Sequence, residues 1–404
     1  MDLSRNTYSD LASGDAAAMR HLSDEAFLAA ILEFEAALAR AVTAANPATD
    51  LDEADVLAVA ELIGTHVIDI PAIARTAAAG GNPAIPLVKE LKDLVRSENL
   101  PERLVHAGAT SQDAIDTALV LCLHRAGSVI TDLAGDVGDL LADLARTHRT
   151  TPIVGRTLGQ QATPTTFGAI AAGWLQGIDA AAAELDRATA DLPVQYAGAA
   201  GNLAAAHPRG PETHAALARE LGLTAGPLSW HTDRTPLVRV ATALALLAGA
   251  ARKVAGDVIF HSATEVGELR EAAPGGSSAM PHKANPAAAI ACDGYARRAP
   301  GLAATMLDSM DSRLQRATGA WHAEWQTIRD LAAVTASALD RLRASLDGIV
   351  ADTAAMDRNL HLTGGDILAY ADDGDGDPAN HLGHAPDIAD AAVTDHENLR
   401  RNAR

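Results

Sequence analysis

The chain has 404 residues, is 48% hydrophobic but only 3% aromatic, and sets 52 Asp and Glu against 32 Lys and Arg, a net charge of −20. A surface this acidic excludes partners that are themselves polyanions, so neither nucleic acid nor an anionic membrane surface is expected to bind. The apolar fraction can fill a large aliphatic, alanine-rich core, and strand-length β-branched or aromatic runs are almost absent, so an all-α fold is expected.

The length suits two or three compact domains, or one elongated helical body with smaller ends. Asp accounts for 36 of the acidic residues and Lys for only 4 of the basic ones, as in surfaces that stay hydrated in concentrated salt. An arginine-favouring, GC-rich genome would explain the Lys deficit alone, and activity greatest in dilute buffer would exclude salt adaptation. Cys122 and Cys292 both lie inside helical patterns, which argues against a disulfide framework or a thiolate metal site. With no basic-then-apolar leader and no uninterrupted apolar run of about 18 residues, a soluble cytoplasmic protein is expected.

Residues 1–21 are polar and patternless. Ser23 then reads as an N-cap, with Asp24 and Glu25 in the first turn and Phe27, Leu28, Ile31, Leu32 and Leu38 at helical spacing to about Ala44. Asn46-Pro47 closes that helix. Further helices are expected over 52–63, just before Gly80-Gly81-Asn82-Pro83, and from Ile85 to Ser97. Much longer patterns follow, opening at Thr131, running from Thr163 to about Leu192, starting at Pro236, running from Pro286 towards Arg316, and from Trp321 to about Leu346. Rods of roughly 30 residues are about 45 Å long, and single apolar stripes on several of them imply a bundle. After Ala371 comes the acidic, glycine-rich break Asp372-Asp373-Gly374-Asp375-Gly376-Asp377-Pro378. The remainder has little apolar content and reads as a weakly packed tail or small appendage.

Three polar loops interrupt the rods. The first is His106-Ala107-Gly108-Ala109-Thr110-Ser111-Gln112-Asp113. Thr110 or Ser111 can cap the following helix, whose first N–H groups would receive a carboxylate or phosphate, and His106 can add a proton donor or positive charge. The second, Gly155 to Gly168, offers Thr157, Gln160 and Gln161 at another helix entrance, with Arg156 able to pair with a substrate carboxylate or with an Asp of its own chain. In both, the same residues would also serve as plain helix caps. The third is Gly275-Gly276-Ser277-Ser278-Ala279-Met280-Pro281-His282-Lys283-Ala284-Asn285-Pro286. Its glycines loosen one side and its prolines stiffen the other, as suits a lid. Ser277 can take a proton from a carbon beside a carboxylate, with Lys283 and Asn285 stabilising the charge that develops. Serine is a poor base unless the site around it is closed and cationic.

Three such loops in this order resemble the fumarase/aspartase superfamily, whose signature is nearly complete at Gly276 to Pro286. Within it, Ala79 to Lys89, Gln195 to Gly201, Trp230-His231-Thr232-Asp233-Arg234, Gly319 to Trp325 and Asn359 to Gly365 resemble the 3-carboxy-cis,cis-muconate cycloisomerase branch. The resemblance covers about residues 20–371. It implies that Ser277 is the base on a mobile loop, that Lys283 and Asn285 bind carboxylate and the charged intermediate, and that a homotetramer pools its long helices so that each site draws on three subunits. Leu158 stands where adenylosuccinate lyase and fumarase usually carry a catalytic His, which disfavours those activities and leaves His106 and His282 as candidates for the general acid. The branch usually has Arg-Asp-Arg after Trp-His-Thr and a fuller C-terminal domain; this chain has Asp233-Arg234-Thr235-Pro236 and a short tail.

The expected activity is therefore reversible lactonisation of 3-carboxymuconate, a small tricarboxylate, without metal or organic cofactor. Thr110, Ser111, Gln112, Arg156, Thr157, Gln160, Gln161, Arg234, Lys283 and Asn285 are the candidate substrate-binding residues. Adenylosuccinate or argininosuccinate lyase chemistry is the enzymatic alternative, and an inactive helical scaffold or binding protein the alternative of another class. The expected divisions are an N-terminal helical domain over 1–105, the central bundle over 106–350 and a shortened C-terminal region over 351–404.

Overall fold

The computed structural model describes residues 16–46, 51–316, 318–363, 367–368 and 376–402. After a single turn, α1 (Ala16–Met19), the chain enters α2 (Asp24–Ala44) where the sequence places it. The Ala26 N–H donates to Ser23 Oγ at 3.1 Å, and Asp24 and Glu25 face the positive end of the helix dipole. Next come α3 (Glu53–Gly64), α4 (Ile70–Gly80) and α5 (Ala84–Ser97), the first two capped by Asp52 and Asp69.

α6 (Ser111–Thr147) runs 37 residues, about 55 Å at 1.5 Å per residue. Thr131, expected to open a helix, lies inside it: Ala126 and Ile130 behind and Ala134 and Val137 ahead keep one inward stripe unbroken. α6 is the one described helix long and apolar enough to cross a membrane by composition, but 72% of its apolar window is buried inside the protein.

The helix expected from Thr163 begins later, because its first residues form a hairpin of β1 (Pro152–Thr157) and β2 (Gln160–Thr166). Leu158 and Gly159 make the two-residue turn with φ of 53° and 79°, the pattern that matches the twist of the flanking strands. Pro164 is tolerated because a two-stranded ribbon consists only of edges. α7 (Phe167–Ala190) then starts at Thr166, whose Oγ1 accepts the Ala169 N–H at 3.0 Å.

α8 (Gly210–Leu221) precedes α9 (Thr235–His261), which carries Pro236 in its first turn as expected. A short strand, β3 (Leu269–Arg270), leads into the third loop. The single helix expected from Pro286 towards Arg316 divides into α10 (Ala287–Ala296) and α11 (Ala299–Asp308). Pro300 has no N–H for the preceding turn, so the first helix stops and a second starts around it. α12 (Ala320–Leu346), β4 (Val350–Ala351), which pairs with β3, and α13 (Thr353–Leu360) complete the body.

α6, α7, α9 and α12 pack on one another, and α10 and α11 close against α9 and α12. Leu119, Phe167, Trp174, Leu247 and Leu339 are among the fully buried side chains at their centre. Among the described residues the fold is thus a long-helix bundle with two small antiparallel ribbons.

The tail is better packed than the sequence suggests. α14 (Ala385–Asn402) lies against α6 and α7, burying Ala385, Ala389, Ala392, Val393 and His396. Ion pairs supplement its small apolar face: Arg149 with Asp390 at 2.7 Å, Arg146 with Glu397 at 2.8 Å, and His396 with Asp139 and Asp179, each at 3.0 Å. Asp372 to Asp375, the start of the acidic break, lie outside the described residues.

Candidate active site

The first loop is built on buried charge. Thr110 precedes α6, and Asp113 Oδ2 reaches back to its N–H at 2.9 Å, the return half of a capping box. The same carboxylate accepts the Ala197 and Gly198 N–H groups at 3.0 and 2.9 Å and pairs with His231 Nε2 at 2.7 Å. One turn on, Asp116 accepts from Trp321 Nε1 at 2.8 Å and from Gln112 Nε2 at 3.2 Å. Gln112 is fully buried and also donates to the His231 carbonyl at 2.8 Å, so it serves this framework.

Arg234, expected to hold a substrate carboxylate, has another task. Its guanidinium is fully buried and bridges Asp116 and Glu324, with all three nitrogens donating: Nε and Nη2 to Glu324, Nη1 and Nη2 to Asp116. Burial works against its charge, but the two carboxylates outweigh burial and raise its pKa further. No donor is left for a ligand.

His106 stands just outside this framework with φ 60°, an uncommon backbone conformation for a residue other than glycine. Glu35 of α2, itself fully buried, accepts both the His106 backbone N–H at 2.8 Å and its Nδ1 at 2.6 Å. Burial disfavours the imidazolium, but the Glu35 charge and hydrogen bond prevail, and the pKa of His106 is raised. Thr110 and Ser111 face a cation the sequence reading missed: Arg316 donates to Thr110 Oγ1 at 2.7 Å and to Ser111 Oγ at 3.4 Å.

The second loop is the β1–β2 hairpin rather than a helix entrance, so its polar residues separate. Thr157 and Gln160 flank the exposed turn, while Gln161 donates to the Asn359 carbonyl at 3.0 Å and accepts from Thr363 at 3.1 Å. Arg156 makes a bidentate pair with buried Glu268, at 2.6 and 3.0 Å, and lies 5.3 Å from the Phe260 ring centroid. His261 and Asn359 also donate to Glu268, at 2.6 and 2.8 Å, and although burial opposes it these donors hold that carboxyl below its usual range. Arg156 thus pairs within its own chain, with a Glu in place of the expected Asp.

The third loop is a closed neck with an open head. Gly275 and Asn285 exchange backbone hydrogen bonds at 2.8 and 2.9 Å, and Asn285 Nδ2 adds bonds to the Gly275 and Gly276 carbonyls. Gly275 is also a packing requirement, since a Cβ there would stand 2.7 Å from the Ala287 Cβ, whereas Gly276 has open space around it. Inside the head, the Ala279 and Met280 N–H groups donate to Ser277 Oγ at 3.3 and 3.1 Å. Two amide dipoles aimed at a hydroxyl oxygen favour negative charge on it, the environment a serine base requires. The His282 and Lys283 side chains are exposed and make no hydrogen bond or ion pair with described residues.

A groove of about 1060 Å³ runs behind the head, lined by His282, Lys283 and Asn285 on one side and Thr264, Arg270 and Asp352 on the other. Neither Ser277 nor any residue of the other two loops lines it. Among the described residues of one chain, this groove does not bring the three loops together. Two buried partners, Glu35 and Glu268, were also missed. Glu35 was findable, as a carboxylate four residues after inward-facing Ile31 on an otherwise apolar stripe; Arg316, in an irregular loop, had no such signal.

Comparison with known proteins places this architecture. A family described as lyase matches residues 13–301. A 3-carboxy-cis,cis-muconate cycloisomerase of Pseudomonas aeruginosa is 42% identical over 364 residues, covering 88% of this chain and 78% of that protein. A nitrosuccinate lyase of Streptomyces davaonensis is 40% identical over 360 residues, covering 86% and 75%. Among solved structures, the 3-carboxy-cis,cis-muconate lactonizing enzyme from Pseudomonas putida superposes with a TM-score of 0.91 at 35% identity, covering 98% of this chain and all of that one.

Proposed function

The chain belongs to the lyase family that its residues 13–301 match, within the fumarase/aspartase superfamily, and from that membership we propose that it is a 3-carboxy-cis,cis-muconate cycloisomerase. In the lactonising direction a carboxylate of the substrate adds to its own double bond and the neighbouring carbon gains a proton. In reverse, Ser277 removes that proton, the electron pair restores the double bond, and the ring carboxylate leaves. The two amide N–H groups on Ser277 Oγ are the observation that carries this assignment, because they supply what an isolated serine lacks as a base. Lys283 sits on the same loop to receive charge on the substrate, while the Asn285 amide, which donates to the Gly275 and Gly276 carbonyls, fixes the neck that carries it. His106 and His282 are the candidates for the general acid.

Arg156 and Arg234 are spent on internal carboxylates, so Lys283, Arg316 and His106 become candidate cations for a tricarboxylate. The separation of the three walls in one chain supports a homotetramer with shared sites, in which neighbouring subunits bring the loops together. The reading divides the chain into an N-terminal helical part over 1–105, the bundle over 106–350 and a C-terminal region over 351–404 that returns to the bundle through α14. A spectrophotometric assay with 3-carboxymuconate, run beside nitrosuccinate, adenylosuccinate and argininosuccinate, tests the substrate. The 40% identity to a nitrosuccinate lyase makes that β-elimination the second reading, and turnover of nitrosuccinate alone would establish it. Ser277→Ala is expected to lower kcat by about 10³-fold with an unchanged circular dichroism spectrum. Turnover of 3-carboxymuconate by that variant at the wild-type rate would overturn the base assignment.

A further inference from the structure

Glu35 is a carboxylate in the apolar stripe of α2, between Phe34 and Ala36, with no exposed surface. A buried charge of this kind costs several kcal/mol unless it is fully used. Both its oxygens point at one residue of the first loop, Oε2 taking the His106 N–H at 2.8 Å and Oε1 the His106 Nδ1 at 2.6 Å. This grip falls on a backbone at φ 60°, an uncommon value for a residue other than glycine. It also occupies one ring nitrogen, leaving Nε2 as the other, on a side chain that keeps 15% of its surface exposed.

From this geometry we propose that Glu35 is a positioning residue for the reaction, clamping His106 so that Nδ1 keeps its proton and Nε2–H alone is presented to a carboxylate of the substrate. The inference rests on the reading that His106 belongs to the substrate site. Three charged groups act on the ring: Glu35 of α2 and Asp113 of α6 favour the imidazolium, and Lys92 of α5 opposes it. With the carboxylates prevailing, the ring stays cationic to higher pH than an isolated histidine, so substrate affinity should weaken on the alkaline side as His106 loses its proton.

Glu35→Gln keeps the size and removes the charge. NMR of the full chain labelled at histidine Cε1, with His106 identified as the signal missing from His106→Gln, reads the ring's midpoint directly. Steady-state kinetics with 3-carboxymuconate reads the consequence. In Glu35→Gln the midpoint should move to lower pH, the alkaline limb of kcat/KM should move with it, and at pH 7.5 KM should rise about tenfold, the size of one charge-assisted hydrogen bond. In a His106→Gln background the same change should add no further loss. An unmoved midpoint, an unmoved limb, or an equal loss in that background overturns the proposal. If Glu35→Gln fails to fold, Glu35→Asp, one methylene shorter, should move midpoint and limb in the same direction, and an unmoved midpoint overturns it there. Should the chain turn over no 3-carboxymuconate at any pH, the functional reading fails while the NMR midpoints still decide whether Glu35 governs His106.

Discussion

Around Asp116 every nitrogen of the Arg234 guanidinium is donated to a buried carboxylate, whereas at residues 275–286 the His282 and Lys283 side chains meet no described partner. The two regions draw on similar residue types and differ in burial. Framework charges are neutralised inside the chain, so they fix the first loop before any substrate arrives. The third loop is fixed only at its Gly275–Asn285 neck and holds its ammonium outside that internal accounting. A cation whose every donor is taken inside the fold cannot also bind a substrate, so burial separates structural from functional cations where residue type does not.

The comparison breaks most directly at Arg234. Arg234→Ala leaves Asp116 and Glu324 facing each other without the cation they share, and an uncompensated buried charge costs about 3–5 kcal/mol. A denaturant midpoint equal to the wild-type value would show that the network contributes nothing to the fold. Lys283→Met makes the opposite case. It should leave that midpoint within about 0.5 kcal/mol and lower kcat/KM by about 10²-fold, the loss typical of one charge-stabilising donor. Loss of stability without loss of activity would place Lys283 among the structural cations.

The long helices were legible because apolar spacing reports them directly: α2 and α12 begin and end, and α9 begins, within a residue or two of the expected positions. Failures came where local propensity ran against the pattern. Thr163 to Thr166 read as a helix start because Pro164 suits one, yet the positive φ available at Gly159, shared by Leu158, turns those threonines into a strand. Ser277, Lys283 and Asn285 could be singled out because one loop carries them in nine residues. The tasks of Arg156, Arg234 and Glu35 could not, because their partners lie 112, 118 and 71 residues away in sequence. Only the packed fold brings those charges together.

A smaller effect tests whether buried ion pairs also hold the tail. His396 of α14 lies between Asp179 of α7 and Asp139 of α6, and its hydrogen bonds to them, opposed by burial, raise its pKa. A histidine protonated more readily in the folded than in the unfolded chain stabilises the fold fully below the unfolded value of about 6.5. That contribution fades as pH rises through the raised folded value. Asp139 behaves inversely: burial opposes it, but His396 and Arg400 lower its pKa, so its contribution is lost only in acid. His396→Gln should therefore cost about 1 kcal/mol at pH 6 and progressively less towards pH 9, read as the difference between wild-type and variant denaturation midpoints. Hydrogen exchange in α14 should quicken in the same pH window in the wild type alone. A cost independent of pH would mean that His396 holds the helix by shape, leaving Ala389, Ala392 and Val393 to dock the tail without help from charge.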